Sequence, residues 1–416
     1  MFALSVKSKC ISSTLIRSFS LLYRKKSCNL PLLKRNYFHG SWDYFSDAHL
    51  KQPKLDLDQC AEFNRRLESV PYYDLLNGGV ERFRNCLVQE DNKFIADVVD
   101  WCSKVFDYNL QDGKKIRGLA LLKTYCAYEH ARGDGSFSAF DTEGWNSAVT
   151  LAWCVEMLQA FLLITDDVMD QSILRRGKPC WYTKSDVGLC AINDALMLNY
   201  GIFKVMEKQL GHLKCYNNLV HEFLQVTHKT VYGQSLDMLS NPLNKKPQFP
   251  KFTFERYQTL VEYKTTHYTF CLPVHLAMHL VGQSSTEEFS LTKDFCLKVG
   301  LYFQIQDDFL DCFGDPEVTG KLGNDIREGK LTWLAVTFLE HASPEMKKEF
   351  VDNYGAGTDA SISKVMDLYR GSSISDKFEE FQQKLSSEIR LDIESMVDYE
   401  QGLFYNLFSQ ISKRDK

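Results

Sequence analysis

The chain has 416 residues, 44% of them hydrophobic and 25% charged, with a formal net charge of −5. This composition excludes a disordered or fibrous protein, supplies ample apolar material for a core, and excludes nucleic-acid binding through a broadly basic surface. Its 13 cysteines include no C-x-x-C pair, so neither a zinc framework nor a disulfide framework is indicated.

Residues 1–42 carry Lys7, Lys9, Arg17, Arg24, Lys25, Lys26, Lys34 and Arg35, and no acid occurs before Asp43. That is the composition of a mitochondrial transit peptide; the other reading is a basic disordered leader on a cytoplasmic protein. From Asp43 to Lys416 helical periodicity is frequent and strand signals are scarce, which predicts one all-α domain over 43–416. A turn at Asn77-Gly78-Gly79 precedes a helix, and a further helix is predicted over 91–106. The loop Asp112-Gly113-Lys114-Lys115-Ile116-Arg117-Gly118 follows, its two glycines bracketing a cluster of cations. After a helix over 121–128 and a polar loop over 133–144 comes the most apolar run, 148–165. It approaches the length of a membrane span, yet Glu156 and Gln159 lie in its middle, so it predicts a buried central helix and no transmembrane segment.

That run ends in FLLITDDVMD, residues 161–170, which sets Asp166, Asp167 and Asp170 at i, i+1 and i+4. On a helix the first and third share a face. Arg175 and Arg176 follow, with Gly177 and Pro179 predicted to stop the helix. Helices are predicted over 191–210 and 216–239, and the Pro- and Lys-rich stretch 241–251 reads as a surface loop. YKTTHYTF (263–270) precedes a second long helix over 291–309, whose end FQIQDDFLD (303–311) repeats the acidic spacing with Asp307, Asp308 and Asp311. The stretch 314–330, with Lys321 and Lys330 on either side of Asp325, reads as a lid.

Acids at a helix C-terminus oppose the macrodipole at a cost of about 0.3–1 kcal/mol each. Like charges about 4 Å apart repel by about 1 kcal/mol in water and about 4 at an effective dielectric of 20. A chain that places acids this way twice, each time after an apolar helix, does so for a cation. Carboxylates without nearby His or Cys select Mg²⁺ or Mn²⁺, and Mg²⁺ is completed by water and substrate phosphates. The acids therefore imply a phosphorylated substrate, with Lys114, Arg117, Arg175, Arg176, Lys264, Lys321 and Lys330 as its anion partners. There is no G-x-x-x-x-G-K-[ST] loop and no EF-hand spacing. His275 and His279, at i and i+4, lack an intervening acid and a third ligand, and read as helix histidines without a metal.

The two D-D-x-x-D motifs, with GKKIRG, LRRGKPCWY, YKTTHYTF and GDPEVTGKLGNDI in the same order, resemble those of the trans-prenyl diphosphate synthases, and within them the eukaryotic farnesyl diphosphate synthases. The resemblance implies a single all-α bundle of isoprenoid synthase type around a deep cavity, working as a homodimer. It implies three Mg²⁺ ions held by Asp166, Asp170 and Asp307, with Asp167, Asp308 and Asp311 completing the sites directly or through water. By the same matching, Arg175, Lys264, Thr265, Gln304, Lys321 and Lys330 attend the allylic diphosphate, dimethylallyl or geranyl, and Lys114, Arg117, Gln159 and Arg176 hold isopentenyl diphosphate. Their head-to-tail condensation gives farnesyl diphosphate; the alternative is a terpene synthase that ionises a single allylic diphosphate. Ile116 stands where the family usually has Asn, and Asp415 interrupts a terminal basic tail. Leu162, one turn before Asp166, stands where farnesyl-forming relatives often carry a second aromatic beside the one kept here as Phe161, so this pair is the expected chain-length floor. A green-fluorescent fusion of residues 1–42 is expected to accumulate in mitochondria; a diffuse cytosolic signal would exclude the transit peptide.

Overall fold

The computed structural model describes residues 63, 65–132, 142–242, 246–314, 324–396 and 398–413. The leader, Lys321 within 315–323, and Asp415 lie outside these residues, so the readings that fall on them have no structural counterpart. The described residues belong to one unit, Leu50–Lys416. In chain order they form α1 (Tyr72–Gly78), α2 (Val80–Val88), α3 (Ala96–Leu110), α4 (Ile116–Arg132), α5 (Glu143–Asp170), α6 (Ala191–Leu210) and α7 (Tyr216–Ser240). There follow α8 (Phe254–Val261), a π-helical segment over Glu262–Cys271, α9 (Leu272–Leu280), α10 (Thr286–Phe313), α11 (Asp325–Glu328), α12 (Trp333–His341), α13 (Pro344–Asn353), α14 (Asp359–Arg370), α15 (Ile374–Glu394) and α16 (Asp398–Ser412). Among the described residues the one sheet is a hairpin of β1 (Leu174–Arg175) and β2 (Lys178–Pro179).

The axis is α5. Thr142 starts it by accepting from Trp145 N at 3.1 Å, and it is buried on nearly every side from Ser147 to Leu158, as a helix that is apolar all round must be. It is long and apolar enough to cross a membrane, but 78% of its apolar window is buried inside the protein. Helices α4, α6 and α9 pack around it. The helix expected over 91–106 starts later, as α3, because the Asn92 side chain accepts from Phe94 N at 3.0 Å and makes a separate short turn first. The second acidic helix, α10, is a turn longer at its start than its apolar pattern suggested, since Ser285 caps it through Glu288 N. The described part of 241–251 is packed rather than loose, Phe249 lying against Phe252, Phe350 and Tyr354.

The π-helical segment joins α8 to α9 without a break and lies between α7 and α10. Thr266 Oγ1 returns to the carbonyl of Val261, five residues back, at 3.1 Å. Such a widened turn moves side chains off the ordinary helical positions. It fits because its two neighbours are glycines at the closest points. A Cβ on Gly233 of α7 would lie 2.2 Å from Lys264 N, and one on Gly300 of α10 would lie 2.1 Å from Thr266 Oγ1. This close approach delivers Lys264 and Thr265 to the end of the bundle where both acidic helices finish.

Candidate active site

The C-terminal ends of α5 and α10 open on one cavity of about 650 Å³, lined by Asp166, Asp170, Asp307, Asp308 and Asp311 together with Lys264, Thr265, Gln304 and Lys330. Sequence spacing put the acids on helix ends; the fold puts both ends on the same space.

The first motif divides by face. Helix α5 stops at Asp170 because Gln171 turns left-handed, φ 55°, and not because of Gly177 and Pro179, as the sequence suggested. Gly177 instead follows Arg176 in a tight turn with φ 73° and 54°, the two left-handed positions a two-residue hairpin of this kind requires. The hairpin folds Arg175 back onto the acids. Its Nε donates to Asp167 at 2.9 Å and its Nη2 to Asp166 at 3.2 Å. Asp167 is buried and fastens the hairpin, and burial raises its pKa despite the guanidinium. Asp166 and Asp170 keep the cavity face.

The second motif divides likewise. Asp308 is 4% exposed and accepts from Tyr257 Oη at 2.8 Å, Trp333 N at 2.8 Å and Gln304 Nε2 at 3.0 Å. Burial still pushes its pKa up to about 7. Gln304 Oε1 in turn accepts from Thr265 Oγ1 at 3.1 Å, so the amide and hydroxyl are oriented from beneath. Asp311 accepts from Asn324 N at 3.3 Å and Asp325 N at 3.0 Å. Asp307 is half-buried at the cavity wall.

Two ammonium groups lie among the acids of the first motif and a further carboxylate, Asp237. Lys264 Nζ is 2.5 Å from Asp237 and 3.4 Å from Asp166; Lys330 Nζ is 2.7 Å from Asp170 and 3.7 Å from Asp237. Sequence reading missed Asp237, and with it Gln234, whose Nε2 donates to Asp166 at 2.9 Å. Their signal was GQSLD, an amide and an acid at i and i+3 on one face of α7 beside the glycine that admits the π segment. Among the described residues no three acid, histidine or cysteine side chains yet converge on a common point. The acids facing the cavity are nonetheless an all-oxygen donor set, which fits a hard divalent ion once the lysines turn to an anion.

A second basic group lies at the loop between α3 and α4. Arg117 reaches Tyr268 Oη at 2.9 Å and Thr269 Oγ1 at 2.8 Å, its guanidinium 4.5 Å from the centre of the Tyr268 ring. Arg176 donates to the carbonyl of Asp112 at 2.8 Å, Lys114 is exposed, and Gln159 is half-buried on α5. Phe161 is buried and Leu162 half-buried, a turn from the acids. The histidine pair stands apart: His275 and His279 each lie 3.6 Å from Glu222.

Burial is the largest single influence on the carboxyls of Asp166 and Asp237 and would raise both, but the cations together outweigh it, Lys264 with Arg175 and Lys330 at Asp166 and Lys264 with Lys330 at Asp237, and both are held below the ordinary carboxylate range. A carboxylate depressed by folding stabilises above its unfolded value of 3.8, and that contribution is lost as pH falls through the folded value. Asp237→Asn is expected to cost about 2–3 kcal/mol at neutral pH. It should also flatten the loss of stability below pH 4 in urea titrations; an unchanged acid limb would remove Asp237 from this account.

The sequence profile of the polyprenyl synthetase family matches residues 99–370. Farnesyl pyrophosphate synthase of Gallus gallus is 39% identical over 323 residues, covering 77% of this chain and 86% of the relative. That of Saccharomyces cerevisiae is 35% identical over 331 residues, covering 77% and 92%. The crystal structure of T. brucei farnesyl diphosphate synthase is similar with a TM-score of 0.73 at 30% identity, over 82% of this chain and 98% of that one. The same enzyme complexed with a bisphosphonate gives 0.75 at 30% identity, over 82% and 97%. Both acidic helix ends, the two lysines of the cavity and the basic loop fall within the matched span, and the chain belongs to the polyprenyl synthetase family.

Proposed function

We propose that this chain is a short-chain trans-prenyl diphosphate synthase that condenses isopentenyl diphosphate with dimethylallyl and then geranyl diphosphate to give farnesyl diphosphate. The observation that carries this reading is the meeting of two acidic helix ends on one cavity, with Lys264 and Lys330 in the same cavity against the first of them. The relatives named farnesyl pyrophosphate synthase support the transferase over a terpene synthase, as do Lys114, Arg117, Gln159 and Arg176, a second anion site that a single-substrate enzyme does not need. A bisphosphonate in the trypanosomal relative is consistent with a diphosphate-shaped ligand here.

Asp166, Asp170 and Asp307 are the principal acids for three Mg²⁺ ions, with Mn²⁺ as a substitute, and Asp311 beside them. Such ions would neutralise the leaving diphosphate as its bond to carbon breaks. Lys264, Lys330 and Arg175 present fixed positive charge to the same leaving group, in a site where they are already oriented. Asp167 and Asp308 act from behind, the first holding Arg175 and the second setting Gln304 and Thr265. Arg117, braced on Tyr268 and Thr269, holds isopentenyl diphosphate with Lys114, Gln159 and Arg176, so that its double bond faces the allylic carbon. The departed diphosphate accepts the proton lost in the final step, and no protein base is required. Lys321 joins the allylic side by resemblance alone, and the leader directs the enzyme to mitochondria.

The protein works as a homodimer through an apolar face of α6 and α7. Ile192, Leu196 and Tyr200 are exposed at i, i+4 and i+8 on α6, and Leu224, Val231 and Met238 are exposed at seven-residue spacing on α7. Stripes of this length on neighbouring helices mark a surface buried in the working assembly, and a two-fold axis covers both at once.

With Mg²⁺ and both five-carbon diphosphates, the body from Asp43 is expected to yield farnesol only after phosphatase treatment. Leu162→Phe should narrow the product range. Hydrocarbons or terpene alcohols formed from a single allylic diphosphate without phosphatase would overturn the transferase. Sedimentation is expected to give a dimer that Leu196→Glu with Val231→Glu converts to monomer; a monomeric parent protein would discard the interface.

A further inference from the structure

The loop between α3 and α4 carries two adjacent lysines that part company. Lys114 is exposed, whereas Lys115 is 4% exposed and turns its ammonium into the fold. Lys115 Nζ donates to the carbonyl of Leu110, at the end of α3, and to that of Asp112 at 2.8 Å; it lies 5.6 Å from the centre of the Trp153 ring. Burial pushes its pKa down, and the buried Glu156 carboxylate opposes that shift through space. Its backbone is left-handed, φ 49°, a conformation that costs free energy for any residue with a branched or long side chain.

An ammonium buried against neutral carbonyls is costlier than an apolar side chain of the same length, so the filling of space does not account for Lys115. Its acceptors do. The Asp112 carbonyl that it holds also accepts from Arg176 Nη1 at 2.8 Å, and the Asp112 carboxylate takes Lys178 from the far strand of the hairpin. Arg176 lies directly on the loop, since a Cβ on Gly113 would come within 2.5 Å of its Nη1. Beyond Arg117 the loop is fixed again, where Glu156 Oε1 accepts from Gly118 N at 2.9 Å. Lys115 thus stands beneath the point where the loop and the hairpin meet, facing away from the cations that project from both.

We propose that Lys115 is a positioning residue, whose ammonium orients the Asp112 carbonyl and so sets Arg176 and Lys114 for isopentenyl diphosphate. It touches no substrate; the inference rests on the transferase reading above and adds a residue to it. The helix-end carbonyls supply the reason for a cation there, because their partial negative charge is what a buried ammonium can neutralise.

The test is steady-state kinetics on the full chain, each diphosphate varied in turn. Lys115→Met, of similar length and without charge, is expected to raise KM for isopentenyl diphosphate about tenfold while KM for geranyl diphosphate stays within about twofold. Lys115→Asn suits the left-handed backbone but cannot reach both carbonyls, and is expected to give the same one-sided rise even where the Met variant folds poorly. KM values that rise in proportion, a fall in kcat alone, or no change in either KM would overturn the proposal. A parent enzyme that makes no product from isopentenyl diphosphate would instead overturn the transferase reading.

Discussion

Negative charge at the C-terminal ends of two buried helices is the constraint on which this structure depends. The helix dipoles add to the mutual repulsion of the acids, and burial adds to both. At the end of α5, Lys264 and Lys330 relieve it by standing between Asp166, Asp170 and Asp237; at the end of α10, hydrogen-bond donors to Asp308 and Asp311 do so. Neither lysine comes from an acidic helix. One arrives through a π turn that only glycines at 233 and 300 admit, the other from the residue after the left-handed Gly329, N-terminal to α12. Charge compensation therefore requires α5, α7, the π-helical segment and the stretch before α12 to meet at a single place on the cavity.

Within each D-D-x-x-D motif the helical period sorts the acids into different tasks. The first and last residues share a face toward the cavity, while the middle one is buried and held by donors within the fold. Asp167 meets Arg175 there, and Asp308 meets three donors. Their environments differ from those of Asp166 as much as their positions do: Asp308 is pushed up to about 7, whereas Asp166 is held low by the cations around it. Residues identical in the sequence become, in the fold, a charged face and the frame that supports it.

The basic side of the cavity follows the same economy of means. The hairpin after α5 sends Arg175 to the acids and Arg176 to the Asp112 carbonyl, so successive residues serve opposite walls. That division needs left-handed backbone at Arg176 and Gly177, and a third left-handed residue at Lys115 meets it from the other side. Gly177 takes this conformation freely, and the strain at Lys115 and Arg176 is sustained because their charged side chains are anchored on backbone carbonyls around them.

The sequence by itself determined the helical class, the buried central helix, the two acidic ends and the set of cations, because hydrophobic period and residue chemistry are local properties. It implied a hard cation and a phosphorylated substrate as well, and the resemblance of its ordered motifs supplied the reaction class. Only the tertiary structure decided which acids face the cavity and which are structural, that Gln171 rather than Gly177 ends α5, and that Asp237 shares both lysines. It alone distinguished Lys114 from Lys115, adjacent and chemically identical. Each of these turns on a backbone conformation or on a partner distant in sequence, Asp237 with Lys330 or Asp112 with Arg176. Such pairings are chosen by packing, and the pattern of any single segment does not contain them.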